Sequence, residues 1–117
     1  MKSHVRRGVA FVAGKAISGA TSSSIYDYSE SSYFHMSGTV DHSKVSVYDH
    51  AKGCYLSGNL PSLFHYGENA HIQLVVGDGQ KFKGFDYDTS SHFSGNVSGK
   101  SISLYDYEAG QYFNYSL

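Results

Sequence analysis

Five four-residue blocks recur along the chain: Ile25-Tyr26-Asp27-Tyr28, Val47-Tyr48-Asp49-His50, Leu63-Phe64-His65-Tyr66, Gly84-Phe85-Asp86-Tyr87 and Leu104-Tyr105-Asp106-Tyr107. Each is followed, after four further residues, by Tyr or His and then an apolar residue: Tyr33-Phe34, Tyr55-Leu56, His71-Ile72, His92-Phe93 and Tyr112-Phe113. The intervening residues are small or polar, as a short hairpin connection requires, so the repeated unit reads as one β-hairpin. A loop over residues 29–32 sets Tyr28 opposite Tyr33, Asp27 opposite Phe34, Tyr26 opposite His35 and Ile25 opposite Met36. The outer connections, such as Gly77-Asp78-Gly79 and Asn59-Leu60-Pro61, absorb the variation in repeat length.

Strand alternation then sorts the side chains onto two faces. One is aliphatic: Ile25, Phe34, Met36, Val45, Val47, Leu56, Leu63, Ile72, Leu74, Val76, Phe93, Ile102, Leu104 and Phe113. The other carries Tyr26, Tyr28, Tyr33, His35, Tyr48, His50, Tyr55, Tyr66, His71, Tyr87, His92, Tyr105, Tyr107 and Tyr112, with Phe64 and Phe85 and interspersed Ser, Gln and Asn. An aliphatic sheet face must be covered. The expected fold is all-β: an antiparallel meander of about five hairpins, ten short strands, forming a barrel, roll or sandwich, with a short N-terminal helix or tail. A solenoid of stacked hairpins is the alternative. A membrane barrel fails on length, because about nine residues per strand and turn fall below the roughly 9 to 11 strand residues a crossing needs.

Hairpin repeats near this length with aromatics flanking the turn look like choline-binding repeats, and Tyr-Asp near a Gly looks like the YD repeats of large bacterial toxins. The first are built around Trp, which is absent here, and the second place Gly differently, so no residue roles carry over.

Charge divides the chain into residues 1–24, a basic tail or helix, and residues 25–117, the β-repeat domain. Lys2, Arg6, Arg7 and Lys15 give the first part +4, while the remainder holds five Lys against ten acids, a net of -5. A body of that sign is a poor phosphate-binding surface, so nucleic acid is not an expected partner. Three readings fit residues 1–24: a secretory signal cleaved near Ser18-Gly19-Ala20, an amphipathic segment making peripheral membrane contact through residues 1–20, or a short helix or edge strand packed on the domain with a solvated basic end. The apolar centre Gly8 to Ala13 is short for a signal and is followed by Lys15, which favours packing, and a cytoplasmic location over a secreted one.

The column Asp27, Asp49, Asp86 and Asp106, with His65 in the fifth place, falls by parity on the aliphatic face. Buried carboxylates need partners. Beside a turn, each Asp is expected to accept the loop's own backbone N–H groups. The functional alternative gathers several of these groups into a cation site or an acid/base pair. Seven His raise the question of a metal, but there is no His-Glu-x-x-His and no helical ligand spacing; His71 with His92, near His35 and His50, is the one grouping that repeat adjacency suggests. Cys54, placed in the second hairpin loop, has no disulfide partner and no diagnostic His. No cofactor, metal site or catalytic residue is therefore expected. The reading that follows is a non-enzymatic interaction or structural module whose Tyr/His face binds a protein partner or self-associates, with carbohydrate as another occupant. The alternative is a small ligand-binding or hydrolytic barrel with an Asp/His site at the repeat ends.

Overall fold

The structure is a computed structural model that describes residues 1–41, 43–77 and 79–117; Asp78 of the Gly77-Asp78-Gly79 connection, and His42, lie outside them. A helix, α1 (Ser3–Ser18), precedes ten strands: β1 (Ser24–Asp27), β2 (Ser32–Asp41), β3 (Lys44–Asp49), β4 (Cys54–Asn59), β5 (Ser62–His65), β6 (Ala70–Val76), β7 (Lys81–Asp86), β8 (Ser91–Ser98), β9 (Ser101–Asp106) and β10 (Gln111–Ser116). The strands pair antiparallel in sequence order and β10 returns to β1, so the meander is a closed barrel.

The faces fall as alternation requires, but the register differs from the expected one by two residues. Tyr26 lies opposite Tyr33 and Asp27 opposite Ser32, and likewise Tyr105 opposite Tyr112 and Asp106 opposite Gln111. The loops are therefore residues 28–31, 50–53, 66–69, 87–90 and 107–110. Cys54 is the first residue of β4, not a loop residue. The cause is the Asp, which caps the turn from the last strand position: Ser29 N–H donates to Asp27 Oδ1 at 2.9 Å, and Glu108 N–H to Asp106 Oδ1 at 3.0 Å. The fourth residue of every loop is left-handed: Ser31 (φ 51°), Gly53 (74°), Asn69 (54°), Ser90 (54°) and Gly110 (68°).

An eight-stranded barrel of roughly the smallest size is just filled by its own inward side chains, and two further strands widen the lumen. Here α1 fills it. Val5, Val9, Ala10, Phe11, Val12 and Ala13 are at most 1% exposed, and they pack against Ile25, Met36, Leu74, Phe93, Ile102 and Leu104 from around the wall. Helix propensity alone would not hold α1, since Gly8, Gly14 and three Val weaken it. Enclosure does, at about 1.5–3 kcal/mol for each large apolar side chain buried. The glycines make the helix slender: a Cβ on Gly14 would lie 2.8 Å from Ile102 Cδ1, and one on Gly8 3.3 Å from Leu56 Cδ2. Gly19 ends the helix in a left-handed conformation (φ 71°), its N–H donating to Lys15 O.

The expected solvated basic end is found at Lys2, which is exposed, but not at the arginines. Arg6 and Arg7 are 9% and 7% exposed, inside the barrel mouth formed by the hairpin loops. Among the described residues no helix is long and apolar enough to cross a membrane.

Candidate functional site

The repeated acidic positions form a ring inside that mouth, around the N-terminal half of α1. Asp27, Asp49, Asp86, Asp106 and His65 are all at most 5% exposed. Each receives its own loop: Ala51 and Lys52 N–H donate to Asp49 Oδ1, Asp88 N–H to Asp86 Oδ1, and Glu68 N–H to His65 Nδ1. This is the local role expected beside a turn. The carboxylates then meet the helix cations. Arg7 Nε donates to Asp49 Oδ2 at 3.1 Å and Nη2 to Oδ1 at 3.2 Å, with the guanidinium 3.9 Å over the Phe34 ring. Arg6 Nη1 donates to Asp106 Oδ2 at 3.3 Å and lies 3.6 Å over Phe113. Outside this ring Lys2 pairs with Glu68, and His4 Nε2 lies 2.7 Å from Glu68 Oε2. Bonds to Lys2 and His4 hold the Glu68 carboxyl down to about 2, the Lys2 bond contributing most. The opposite charges of the two sequence segments thus neutralise one another within one molecule.

Three members of the ring, Asp27, Asp86 and His65, enter no ion pair among the described residues, and Asp27 accepts only from Ser29 N–H and Oγ, its Oδ2 being buried without a partner. Asp86 is bonded only by its loop, and burial pushes its carboxyl above the ordinary range. His65 stands 5.4 Å from His4, ring to ring; burial first, then the neighbouring His4, lowers its imidazole. Burial, then Asp49, raises the Cys54 thiol. Among the described residues no group of three His, Cys, Asp or Glu is placed to hold a metal.

The candidate binding residues lie on the outside of the wall, near the same mouth, as five copies of one cluster. The middle aromatic of each block meets a loop ring and a cross-strand ring edge-on: Tyr26 with Tyr28 and Tyr33 at 4.8 and 4.7 Å, and Tyr105 with Tyr107 and Tyr112 at 4.8 and 4.9 Å. Tyr48 meets His50 and Tyr55, Phe64 meets Tyr66 and His71, and Phe85 meets Tyr87 and His92 in the same way. The ladder pairs expected from the sequence, Tyr28 with Tyr33, Tyr66 with His71 and Tyr107 with Tyr112, are each replaced by two contacts to the middle ring, because of the two-residue difference in register. His35 and His50 stack with centroids 4.1 Å apart, joining the first cluster to the second, and Ser37 Oγ lies 2.7 Å from His50 Nε2. No contact joins His71 to His92; each belongs to its own cluster.

Beyond this belt the outward positions turn polar: Ser46, Ser57, Gln73, Lys83, Ser94, Ser103 and Asn114. In the lumen, by contrast, α1 lies inside the Asp ring, whose members are at most 5% exposed. Sequence reasoning missed Arg6 and Arg7 as buried partners of that ring; the +4 and -5 segments were the signal that could have found them. No family model, no curated protein and no solved structure matches this chain.

Proposed function

We propose that this chain is a non-enzymatic binding module that works through the outside of its barrel wall, taking a protein partner or a second copy of itself on its Tyr/His clusters. One observation carries the reading: α1 fills the lumen, while Tyr28, Tyr33, Tyr55, Tyr66, Tyr87, Tyr107 and Tyr112 remain 50–74% exposed on the wall. Tyrosine suits that use because it brings contact area and a hydrogen-bonding tip at a small entropic cost. Edge-to-face contacts already hold these rings, so less ordering remains to be done on binding. The second reading, ligand binding or hydrolysis at the repeat ends, has less support, since Asp49 and Asp106 are committed to their loops and to arginines.

The test is chromatography with light scattering on the full chain and on a Tyr33→Ser, Tyr55→Ser, Tyr112→Ser variant. Concentration-dependent association that the variant loses supports self-association through the wall. A monomer at every concentration leaves the wall to a different partner. Association unchanged in the variant counts against the reading.

A further inference from the structure

The wall is not uniform around its circumference. Over β6 to β10 two adjoining depressions of about 360 and 570 Å3 open on its outer side and share Val75, Lys83 and Ser94. Tyr112 borders one and Tyr107 the other, both more than half exposed. Lys81 and Lys83 project from β7 into this sector, and among the described residues neither enters an ion pair. Asn96 and Ser103 add an amide and a hydroxyl group to the depression that Tyr112 borders, the Ser103 hydroxyl donating to Asn114 Oδ1 at 2.8 Å.

Aromatic rings, short hydroxyl and amide side chains and two ammonium groups that enter no ion pair among the described residues, in two adjoining depressions, match the surface of a sugar chain that carries carboxylates. Sugar ring C–H faces pack on tyrosine, ring hydroxyls exchange hydrogen bonds with Ser and Asn, and each carboxylate meets a lysine. We infer that the β6–β10 sector is a subsite for an acidic saccharide. This deepens, and rests on, the reading of the wall as a binding surface. Single-stranded nucleic acid also stacks on aromatics, but it depends on a row of cations along its backbone. Lys81 and Lys83 alone supply no such row.

The experiment is an amide NMR titration of the full chain with a short oligogalacturonate, a neutral oligogalactose of equal length and an oligothymidylate. Saturable shifts at Lys83, Ser94 and Ser103 with the uronate, and weaker ones with the neutral sugar, are expected. The Lys81→Gln, Lys83→Gln variant, with its spectrum otherwise intact, loses about five-fold in affinity, as two exposed charge contacts would. No saturable shift, equal binding of the neutral sugar, affinity unchanged in the variant, or tighter binding of the oligothymidylate through the same amides overturns the inference. If only the subsite is wrong, the Tyr33 and Tyr55 sector still supports association; if the wall reading is wrong, both sectors are silent.

Discussion

Arg7 and Asp49, 42 positions apart, meet inside the barrel through two parallel hydrogen bonds, Nε to Oδ2 at 3.1 Å and Nη2 to Oδ1 at 3.2 Å. One comes from the helix and the other from the end of β3, so the pair fixes α1 both along the barrel axis and about it. Removing only one member leaves a buried charge alone, whereas removing both leaves none.

Arg7→Met is therefore expected to lower stability by about 3–5 kcal/mol, as is typical when one partner of a buried pair is lost. Adding Asp49→Asn, which keeps an acceptor for the loop N–H groups, recovers much of that loss. Urea denaturation of the two single variants and the double variant measures the coupling. Additive losses would show that the pair does not act as a unit.

Glycines at three depths separate helix propensity from space. Gly8→Ala, with 3.3 Å to a flexible Leu56 methyl, is expected to change stability by no more than about 1 kcal/mol, in either direction. Gly14→Ala is tighter, 2.8 Å from Ile102 Cδ1, and the crowding offsets the gain in helix propensity. Gly95→Ala has no such slack, because its Cβ would overlap both the Phe82 ring and the Ser103 carbonyl across the sheet. Thermal unfolding of the three should rank them in that order, Gly95→Ala losing about 3 kcal/mol or more from overpacking and displaced backbone.

Acid acts on His65 first. Its folded pKa is depressed below the ordinary 6.5, so the unfolded chain binds the proton more readily. The stability it contributes is complete above pH 6.5 and is lost as the pH falls through the folded value. Glu68 follows, its contribution lost between 4.5 and about 2. Asp86 works in the opposite sense: its raised pKa means that protonation on the way down toward 3.8 relieves a cost. Urea midpoints at pH 7.5 and 5.5 should fall for the natural chain, and fall less for His65→Asn. An equal fall in both would remove His65 from the account.

Closure depends on the thinnest pairing in the sheet. β1 meets β10 only at Tyr26 with Ser116 and Asp27 with Tyr115, whereas β9 and β10 are paired along six residues. Few ladder bonds mean low-energy local opening. Hydrogen exchange should find the amides at this seam, such as Tyr28 N–H to Asn114 O, protected less than those of β8 and β9. Uniform protection around the barrel would contradict this.

The sequence made the strands and their faces legible, because alternation and the repeated Asp depend only on neighbours along the chain. The inward positions Ile25, Met36, Leu63 and Leu104 are buried as alternation requires. The loop boundaries were not legible, since Ser32 and Cys54 are as turn-like as the residues before them and only the Asp hydrogen bonds place them in strands. Nor was the position of α1: Val9 and Phe11 lie on opposite sides of a helix and both are fully buried, an unhelpful pattern for one packed against a surface and the natural one for a helix surrounded by wall. The outward rings were recognisable as a face, but their grouping about Tyr26, Tyr48, Phe64, Phe85 and Tyr105 required the register.

Arg6 and Asp106 are separated by 100 positions, yet they meet inside the closed barrel, Arg6 Nη1 donating to Asp106 Oδ2 at 3.3 Å. α1 precedes every strand, and the residues that cover it come from strands throughout the chain, so its apolar surface stays open to water until those strands are assembled. Contacts this distant in sequence slow folding and prolong the exposure of apolar surface. Burial of α1 is thereby tied to long-range closure of the wall, which makes this a fold of distant contacts rather than local ones.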